Sequence, residues 1–336
     1  FILEGNRRIG YIYMPAFYTE WEKAGAPGSA NDVAREILKL KQERIEGLIL
    51  DLRDNGGGSL QEAADLAGIF IDEGPLFLAR DNRGRVDLIK DPNRGVIYRD
   101  PLLVLVNGNS ASASEFFAQA IQDYRRGVVA GSATFGKATS QIVLPLQRSR
   151  AEVTQYVKLT THMYFGLDGR THQGRGVRPD FTLGDSDGLS EREERLLNYL
   201  EPHSVERNVS YDPWPLVALD DARNASRDRQ ARSVGFETVG HLTSELKDRM
   251  EDLDEVDLEL HAFFDTLHPL QVLAEKYRTA AYRSQDVYRV RNHAHEQRIE
   301  SMDDHRRELN TERRSVIAED IYIQESYFIL NDCMAL

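Results

Sequence analysis

The sequence has almost no cysteine and no long apolar run. Of its 336 residues only Cys333 is a cysteine, which excludes an intrachain disulfide and a cysteine-rich metal site. A thiol so near the end of the chain is also a poor candidate nucleophile. The longest apolar stretches have the length of β-strands, whereas a membrane-spanning helix needs roughly 20 apolar residues. The sequence therefore predicts no membrane span.

Basic residues are in the minority. The chain has 42 Lys and Arg against 55 Asp and Glu, a formal net charge of −13. Nucleic acids and anionic membranes would repel such a chain at long range, so we expect no nucleic-acid partner. With 41% apolar and 29% charged residues, the composition is that of a globular protein long enough for two domains.

A serine-rich motif stands where a predicted strand meets a predicted helix. The apolar run at 101–106 is typical of a strand, and 113–124 has the pattern of an amphipathic helix. Between them lies N-S-A-S-A-S-E at 109–115. Free backbone N–H groups and the positive end of the helix dipole meet at such a point, which suits the stabilisation of an oxyanion.

The same motif has a purely structural interpretation. Ser112 and Glu115 have the S-x-x-E spacing of a capping box, in which the serine only satisfies the helix end. The local pattern also does not choose a nucleophile among Ser110, Ser112 and Ser114.

A lysine motif, F-G-K-A-T-S-Q, follows at 135–141 and leads into a predicted strand. Strand alternation puts Lys137, Thr139 and Gln141 on one face. Lysine acts as a general base only when burial lowers its pKa from ~10.4 toward neutrality, which costs about 4 kcal/mol. Gln141 could hold the neutral amine without adding charge. The alternative is an ordinary exposed lysine in a loop.

A glycine-rich segment supplies a third candidate element. The buried-type strand at 47–52 runs into R-D-N-G-G-G at 53–58, and a helix follows. Three glycines let backbone amides approach a ligand closely. A phosphate cradle is the alternative, but neither G-x-x-x-x-G-K-[ST] nor G-x-G-x-x-G is matched. We interpret Asp51 and Arg53 as a structural ion pair that shapes this turn.

Together the serine and lysine motifs resemble the signatures S-A-S-A-S-E and F-G-K-G-T-x-Q of the C-terminal processing peptidases, also called tail-specific proteases. The resemblance implies Ser112 as nucleophile, because the family's serine precedes its lysine by 25 residues. It implies Lys137 as general base and Gln141 as its partner. Ala138 departs from the family's glycine at that position.

The glycine-rich segment is similar to D-L-R-x-N-x-G-G of the same family. The resemblance implies that Gly58, or Gly57, provides one oxyanion N–H group and that Ala113 provides the other. Further matches lie in three segments, at 8–17, 70–75 and 174–180, so that the resemblance covers about 180 residues.

The fold class implied is α/β: a crotonase-like or Clp-protease-like spiral of strand-strand-helix units. Alternation of strands and helices alone would equally suggest a doubly wound sheet. We predict a peptidase core at 1–183 and a mainly helical C-terminal domain at 184–336, comparable to the extension of the Prc-type members. Charged sequence at 190–194 is expected to open a helix.

The resemblance implies a serine endopeptidase that cleaves proteins with apolar, unstructured C-terminal tails and needs no cofactor and no metal. It further implies a periplasmic or cell-envelope location, a possible lipoprotein adaptor and possible homo-oligomers. The family usually has a PDZ domain ahead of the segment equivalent to 7–10, and this sequence has none. Without an initiator methionine, the chain is expected to be a fragment or a processed product.

Other functions remain as alternatives. A noncatalytic binding module on the same fold is one, and an acyl-CoA enzyme of the crotonase type is another. His162 and His172 could pair around the turn at 166–169, yet no metal-ligand spacing such as H-E-x-x-H is present. A Ser-His-Asp triad needs no fixed spacing, but the sequence has no G-x-S-x-G motif.

Overall fold

A computed structural model describes residues 1–20, 27–91, 94–146, 155–184, 189–206, 209–251, 253, 256–283 and 285–335. Its strands are β1 (Ile2–Glu4), β2 (Arg8–Tyr13), β3 (Gly47–Asp51), β4 (Gly74–Asp81), β5 (Val86–Asp91), β6 (Leu102–Val106), β7 (Val128–Gly131), β8 (Thr139–Pro145), β9 (Tyr156–Phe165), β10 (Phe181–Thr182) and β11 (Arg289–Arg291). Its α-helices are α1 (Ser29–Gln42), α2 (Leu60–Phe70), α3 (Ala113–Asp123), α4 (Asp220–Arg232), α5 (Val234–Glu251), α6 (Leu260–Ala280), α7 (Ala294–Glu300), α8 (Asp304–Glu319) and α9 (Ile321–Ala335).

Seven strands form the main sheet, in the order β10-β7-β6-β3-β2-β1-β11. Strands β2, β3, β6, β7 and β10 run parallel, while β1 is antiparallel to both of its neighbours. Every residue of β3 and β6 is buried, which explains why both read as unbroken apolar runs. The carboxyl ends of β3, β6 and β7 lie at one edge of the sheet, and the glycine-rich, serine and lysine motifs follow these ends.

The two faces of the main sheet are covered by different parts of the chain. Alternate residues of a strand face opposite sides, so Leu50 packs among side chains of α1, α2 and α3. Ile49 belongs instead to a second apolar cluster with Tyr327 and Leu330 of the C-terminal helices. Within the described residues, the three helices that connect the parallel strands therefore cover one face, which is not the arrangement of a doubly wound sheet. The predicted fold class, α/β with a mainly helical C-terminal region, is confirmed.

A second, antiparallel sheet has the order β5-β4-β9-β8. Strand β8 lies at its end, among the strands that the structure describes, and starts inside the lysine motif, two residues after Lys137. The division into domains at residue 183 stays a prediction, since α4 and α9 share the second apolar cluster with the main sheet. No helix within the described ranges is long and apolar enough to cross a membrane.

A buried charge cluster joins the C-terminal helices to the end of β3. The Arg53 guanidinium contacts the Asp51 carboxylate at 2.6 Å and the Asp320 carboxylate at 2.9 Å. The Tyr11 hydroxyl donates to Asp51 over 2.7 Å. Burial raises the pKa of Asp320, and the neighbouring Arg53 opposes that rise. The interpretation of Asp51 and Arg53 as a structural ion pair is confirmed, with Asp320 as an additional member.

Replacing one carboxylate of this cluster is expected to destabilise the fold strongly. Asp320→Ala leaves Arg53 buried with one partner fewer, and breaking a buried pair in this way costs about 3–5 kcal/mol of unfolding free energy. Urea denaturation measures the loss. The control is Glu245→Ala, which breaks an exposed pair with Arg249 and is expected to cost less than about 1 kcal/mol. Equal losses in the two variants would contradict the prediction.

Candidate active site

Ser112 occupies a strained turn between β6 and α3. It is the N-cap residue of α3, with φ 57° and ψ −114°. Residues other than glycine rarely adopt this backbone conformation, because it costs about 1–3 kcal/mol. The residues that do adopt it cluster at functional sites. The predicted capping box of Ser112 and Glu115 is present. The positive φ nevertheless distinguishes Ser112 from an ordinary helix cap, which adopts extended backbone angles.

The structure distinguishes the three serines that the sequence left equivalent. The Ser110 hydroxyl donates to the Leu52 carbonyl and the Ser114 hydroxyl to the Asn55 carbonyl, each over 2.8 Å. Both of these serines are fully buried, and their hydroxyls are used in structural hydrogen bonds. Ser112 is partly exposed, so its side chain is the one that a substrate can approach.

Gly57 approaches the serine turn too closely for any side chain. A Cβ atom at this position, where φ is +97°, would lie 2.8 Å from the Ser112 Cβ and 2.9 Å from the Ala113 nitrogen. The Gly57 N–H group already donates to the Asn55 side-chain oxygen over 2.9 Å. Gly57 therefore allows the close approach, but its own N–H group is occupied.

Gly58 fits the oxyanion position better than Gly57 does. Among the described hydrogen bonds, none uses the N–H group of Gly58 or that of Ala113. Gly58 is also required for packing, since a Cβ there would lie 2.2 Å from the Phe17 carbonyl oxygen. The two N–H groups that the resemblance implies are thus the ones left available beside Ser112.

Glu115 connects the serine turn to the lysine loop, which we define as residues 132–138. Its carboxylate is fully buried and accepts the N–H group of Ser112 at 2.7 Å. It also accepts the N–H groups of Gly136 and Lys137, at 2.7 and 2.8 Å, and the Thr134 hydroxyl at 2.6 Å. The capping-box glutamate of the sequence interpretation therefore ties together the two segments that carry the candidate dyad.

The Lys137 side chain is in a surrounding suited to a neutral amine. Burial lowers the pKa of Lys137, the charge of Glu193 opposes that shift, and the charge of Lys158 adds to it. The amine donates to the Thr139 carbonyl over 3.1 Å. No described hydrogen bond joins it to the Ser112 hydroxyl, so the structure brings the two segments together without joining these two atoms.

Among the described hydrogen bonds, Gln141 is connected to Lys137 through Thr139. Its amide nitrogen donates to the hydroxyls of Thr139 and Thr160, at 3.0 and 3.3 Å. The carbonyl of the same Thr139 accepts the Lys137 amine. The role predicted for Gln141 as a direct partner of the amine stays a prediction. Thr139, which strand alternation placed on the same face without a role, contacts both side chains.

Two further polar side chains at the lysine loop were not anticipated. The Gln173 side-chain oxygen accepts the Ala138 N–H group at 2.8 Å, and its nitrogen donates to Glu193 over 3.1 Å. The helix expected at 190–194 is wrong, because this stretch forms only a 3₁₀ turn at Glu193–Arg195. No local signal marks these residues, since their partners are distant in sequence.

The histidines that could have paired have separate partners. His162 contacts the Thr161 hydroxyl at 3.0 Å, and His172 contacts the Gln119 side chain at 2.7 Å. Across the described ranges, no group of three or more His, Cys, Asp or Glu side chains is arranged to hold a metal ion.

Comparison with known proteins gives matches over the region that contains these motifs. The model of Peptidase family S41 matches residues 8–183, which is more than half of the chain. A tail-specific protease of Haemophilus influenzae is 33% identical over 264 residues, or 76% of this chain and 36% of that protein. A carboxy-terminal-processing protease of Bartonella bacilliformis is 33% identical over 182 residues, covering 54% of this chain and 39% of that protein.

Among solved structures, a photosystem II D1 C-terminal processing protease is 32% identical to the chain. The match has a TM-score of 0.46 and covers 52% of this chain and 42% of that one. The chain thus spans well under half the length of the first two curated relatives, 36% and 39% respectively.

The strain at Ser112 can be measured as a difference between two substitutions. Ser112→Gly is expected to be more stable than Ser112→Ala by about 1 kcal/mol, because glycine adopts a positive φ freely and is tolerated at an N-cap. Urea denaturation of both variants gives the difference. At Ser114, inside α3, the order should be reversed, with glycine less stable than alanine by about 1 kcal/mol. If glycine and alanine ranked in the same order of stability at both positions, the proposed strain at Ser112 would be contradicted.

Proposed function

This chain belongs to peptidase family S41, and on that premise we propose that it is a serine endopeptidase with a Ser112–Lys137 dyad. One observation supports this proposal above the others. The buried Glu115 carboxylate accepts the backbone N–H groups of both Ser112 and Lys137. Two segments that follow different strands are thereby held side by side. Proton transfer from Ser112 to Lys137 requires this proximity.

The proposed reaction starts with attack of the Ser112 hydroxyl oxygen on a peptide carbonyl carbon. Neutral Lys137 accepts the hydroxyl proton as the new C–O bond forms. The N–H groups of Ala113 and Gly58 donate to the oxyanion of the tetrahedral intermediate. The Lys137 ammonium then protonates the leaving amine, the C–N bond breaks and an acyl-enzyme results. In the second half of the reaction, water loses a proton to Lys137 and attacks the ester carbonyl carbon. The ester C–O bond then breaks, and the Lys137 ammonium returns the proton to the Ser112 oxygen.

The Lys137 amine must approach the Ser112 hydroxyl for this proton transfer. Its hydrogen bond to the Thr139 carbonyl uses one N–H group, and a neutral amine still has its lone pair. Proton transfer requires about 2.6–3.2 Å between the amine and the serine oxygen, a distance that often closes only when substrate is bound. Gln141 is proposed to keep Thr139 in place for that movement.

Proteins with apolar, unstructured C-terminal tails are the proposed substrates. The strands next to the lysine loop expose apolar side chains, with Ile142 44%, Val143 61% and Leu159 45% exposed. An exposed apolar surface beside a site is typical of a surface that binds apolar segments. A periplasmic or cell-envelope location, a lipoprotein adaptor and homo-oligomers are further parts of the proposal. They derive from the family resemblance alone.

The dyad is tested by cleavage of an unfolded reporter protein with an apolar C-terminal tail. Ser112→Ala and Lys137→Ala are each expected to lower kcat/KM by about a thousandfold or more, since members of a catalytic unit are not replaceable singly. Mass spectrometry of the products locates the cleaved bonds. The control is Lys90→Ala, an exposed lysine on β5, which should cleave like the parent chain. A parent chain without cleavage, but with binding of the reporter, would favour the noncatalytic binding module.

The proposed general base also predicts a pH dependence. Only neutral Lys137 accepts the proton, so activity falls as the pH drops through the pKa of Lys137, which burial lowers from its ordinary value. The charge of Lys158 contributes to that lowering. Lys158→Gln is therefore expected to raise the pKa of Lys137 and to move the rising limb of kcat/KM to higher pH. A pH–rate profile measures the shift, and movement to lower pH would contradict the assignment.

A further inference from the structure

The lysine loop has all of its central N–H groups bound by other segments. The acceptors for residues 134–138 are, in order, the carbonyls of Val177 and Ser110 at 3.2 and 3.0 Å, the Glu115 carboxylate at 2.7 and 2.8 Å, and the Gln173 side-chain oxygen at 2.8 Å. Five consecutive N–H groups with acceptors in other segments restrain the backbone of the loop. The backbone position of Lys137 is therefore decided by its neighbours.

One of these acceptors, Gln173, is oriented by Glu193, which follows the S41 match at 8–183. The Gln173 side chain is fully buried, and its nitrogen donates to the Glu193 carboxylate over 3.1 Å. This hydrogen bond orients the amide so that its oxygen faces Ala138. The Glu193 backbone N–H group donates to the Phe135 carbonyl over 3.1 Å. Glu193 thus acts on the loop on both sides of Lys137.

The segment that carries Glu193 is packed against the turn before Ser112 and against Gly174, the residue after Gln173. A Cβ added at Gly108, in the turn before Ser112, would lie 2.5 Å from the Ser190 hydroxyl. A Cβ added at Gly174, which follows Gln173, would lie 3.4 Å from the Tyr199 ring and 3.7 Å from the Glu194 Cβ. Glu193 itself is buried, with 7% of its surface exposed. Its carboxylate is consequently held beside the loop instead of in solvent.

The charges that face Lys137 give this carboxylate a second effect. Glu193 and Glu115 raise the pKa of Lys137, whereas burial and Lys158 lower it. His172, which packs nearby, has its own pKa lowered by burial, and the charge of Glu115 opposes that shift. A buried lysine without a compensating carboxylate would be a weak base, and proton transfer is most efficient when the pKa lies near the working pH.

We propose that Glu193 is a positioning residue for Lys137, which orients the lysine loop through Phe135 and Gln173 and places one negative charge beside the amine. This role rests on the proposed function, in which Lys137 is the base. It assigns a part in the reaction to the stretch that follows the S41 match at 8–183. The family match alone would have placed that stretch outside the site.

The first test measures the titration of Lys137 without any need for cleavage. In the Ser112→Ala chain, the rate of amine labelling at Lys137 is followed against pH by mass spectrometry. Adding Glu193→Gln is expected to lower the midpoint, because the carboxylate that favours the ammonium form is removed while an oxygen remains for Gln173. Glu194→Gln changes the same charge at the neighbouring, exposed residue and is expected to leave the midpoint unchanged.

The second test uses the active chain and the conservative variant. Glu193→Gln is expected to move the rising limb of kcat/KM to lower pH, and Glu193→Asp, which keeps the charge, is expected to move it back toward the parent. Midpoints equal to the parent in Glu193→Gln would overturn the proposal, as would equal shifts in Glu193→Gln and Glu194→Gln. If the parent chain shows no cleavage, the proposed function fails, while the labelling experiment still decides whether Glu193 acts on Lys137. Circular dichroism confirms that each variant is folded.

Discussion

The arrangement of the site depends on one buried carboxylate, that of Glu115. It lies in the first turn of α3, where the helix dipole favours a negative charge. Burying a carboxylate is costly, and no cation is paired with this one among the described ion pairs. Four donors offset that cost instead, and hydrogen bonds to a charged group contribute about 1.5–3 kcal/mol each. Because three of the donors belong to the lysine loop, the energy that stabilises Glu115 also fixes the loop.

The main sheet decides which segments can meet at that carboxylate. Strands β3, β6 and β7 are adjacent and parallel, so the glycine-rich segment, the serine turn and the lysine loop leave the same edge. The helical C-terminal region then stabilises this edge from its other face. Asp320 contacts Arg53 at the end of β3, and Glu193 contacts the lysine loop. The candidate site is consequently supported by both parts of the chain.

Much of the fold was predictable from local patterns. The fully apolar runs predicted β3 and β6, and the S-x-x-E signal with its amphipathic continuation predicted α3 from Ala113. The motifs also predicted which segments carry the candidate chemistry. The expected helix at 190–194 failed for an identifiable reason, because Glu193 bonds to Phe135 and Gln173. Tertiary hydrogen bonds there prevail over a helical propensity that is worth only fractions of a kcal/mol per residue.

By itself the sequence determined strands β3 and β6, helix α3 and the residue types available at their ends. Apolar periodicity and helix capping act between residues that are near neighbours in the chain. Only the tertiary structure decided how those residues are used. It separates Ser112 from Ser110 and Ser114 by their hydrogen bonds to distant carbonyls, and it leaves the N–H group of Gly58 available where that of Gly57 is occupied. The acceptors of Ser110 and Ser114 lie 58 and 59 residues away in the sequence. The Gly57 bond to Asn55 is local, but it lies beside Ser112 only because the parallel strands assemble.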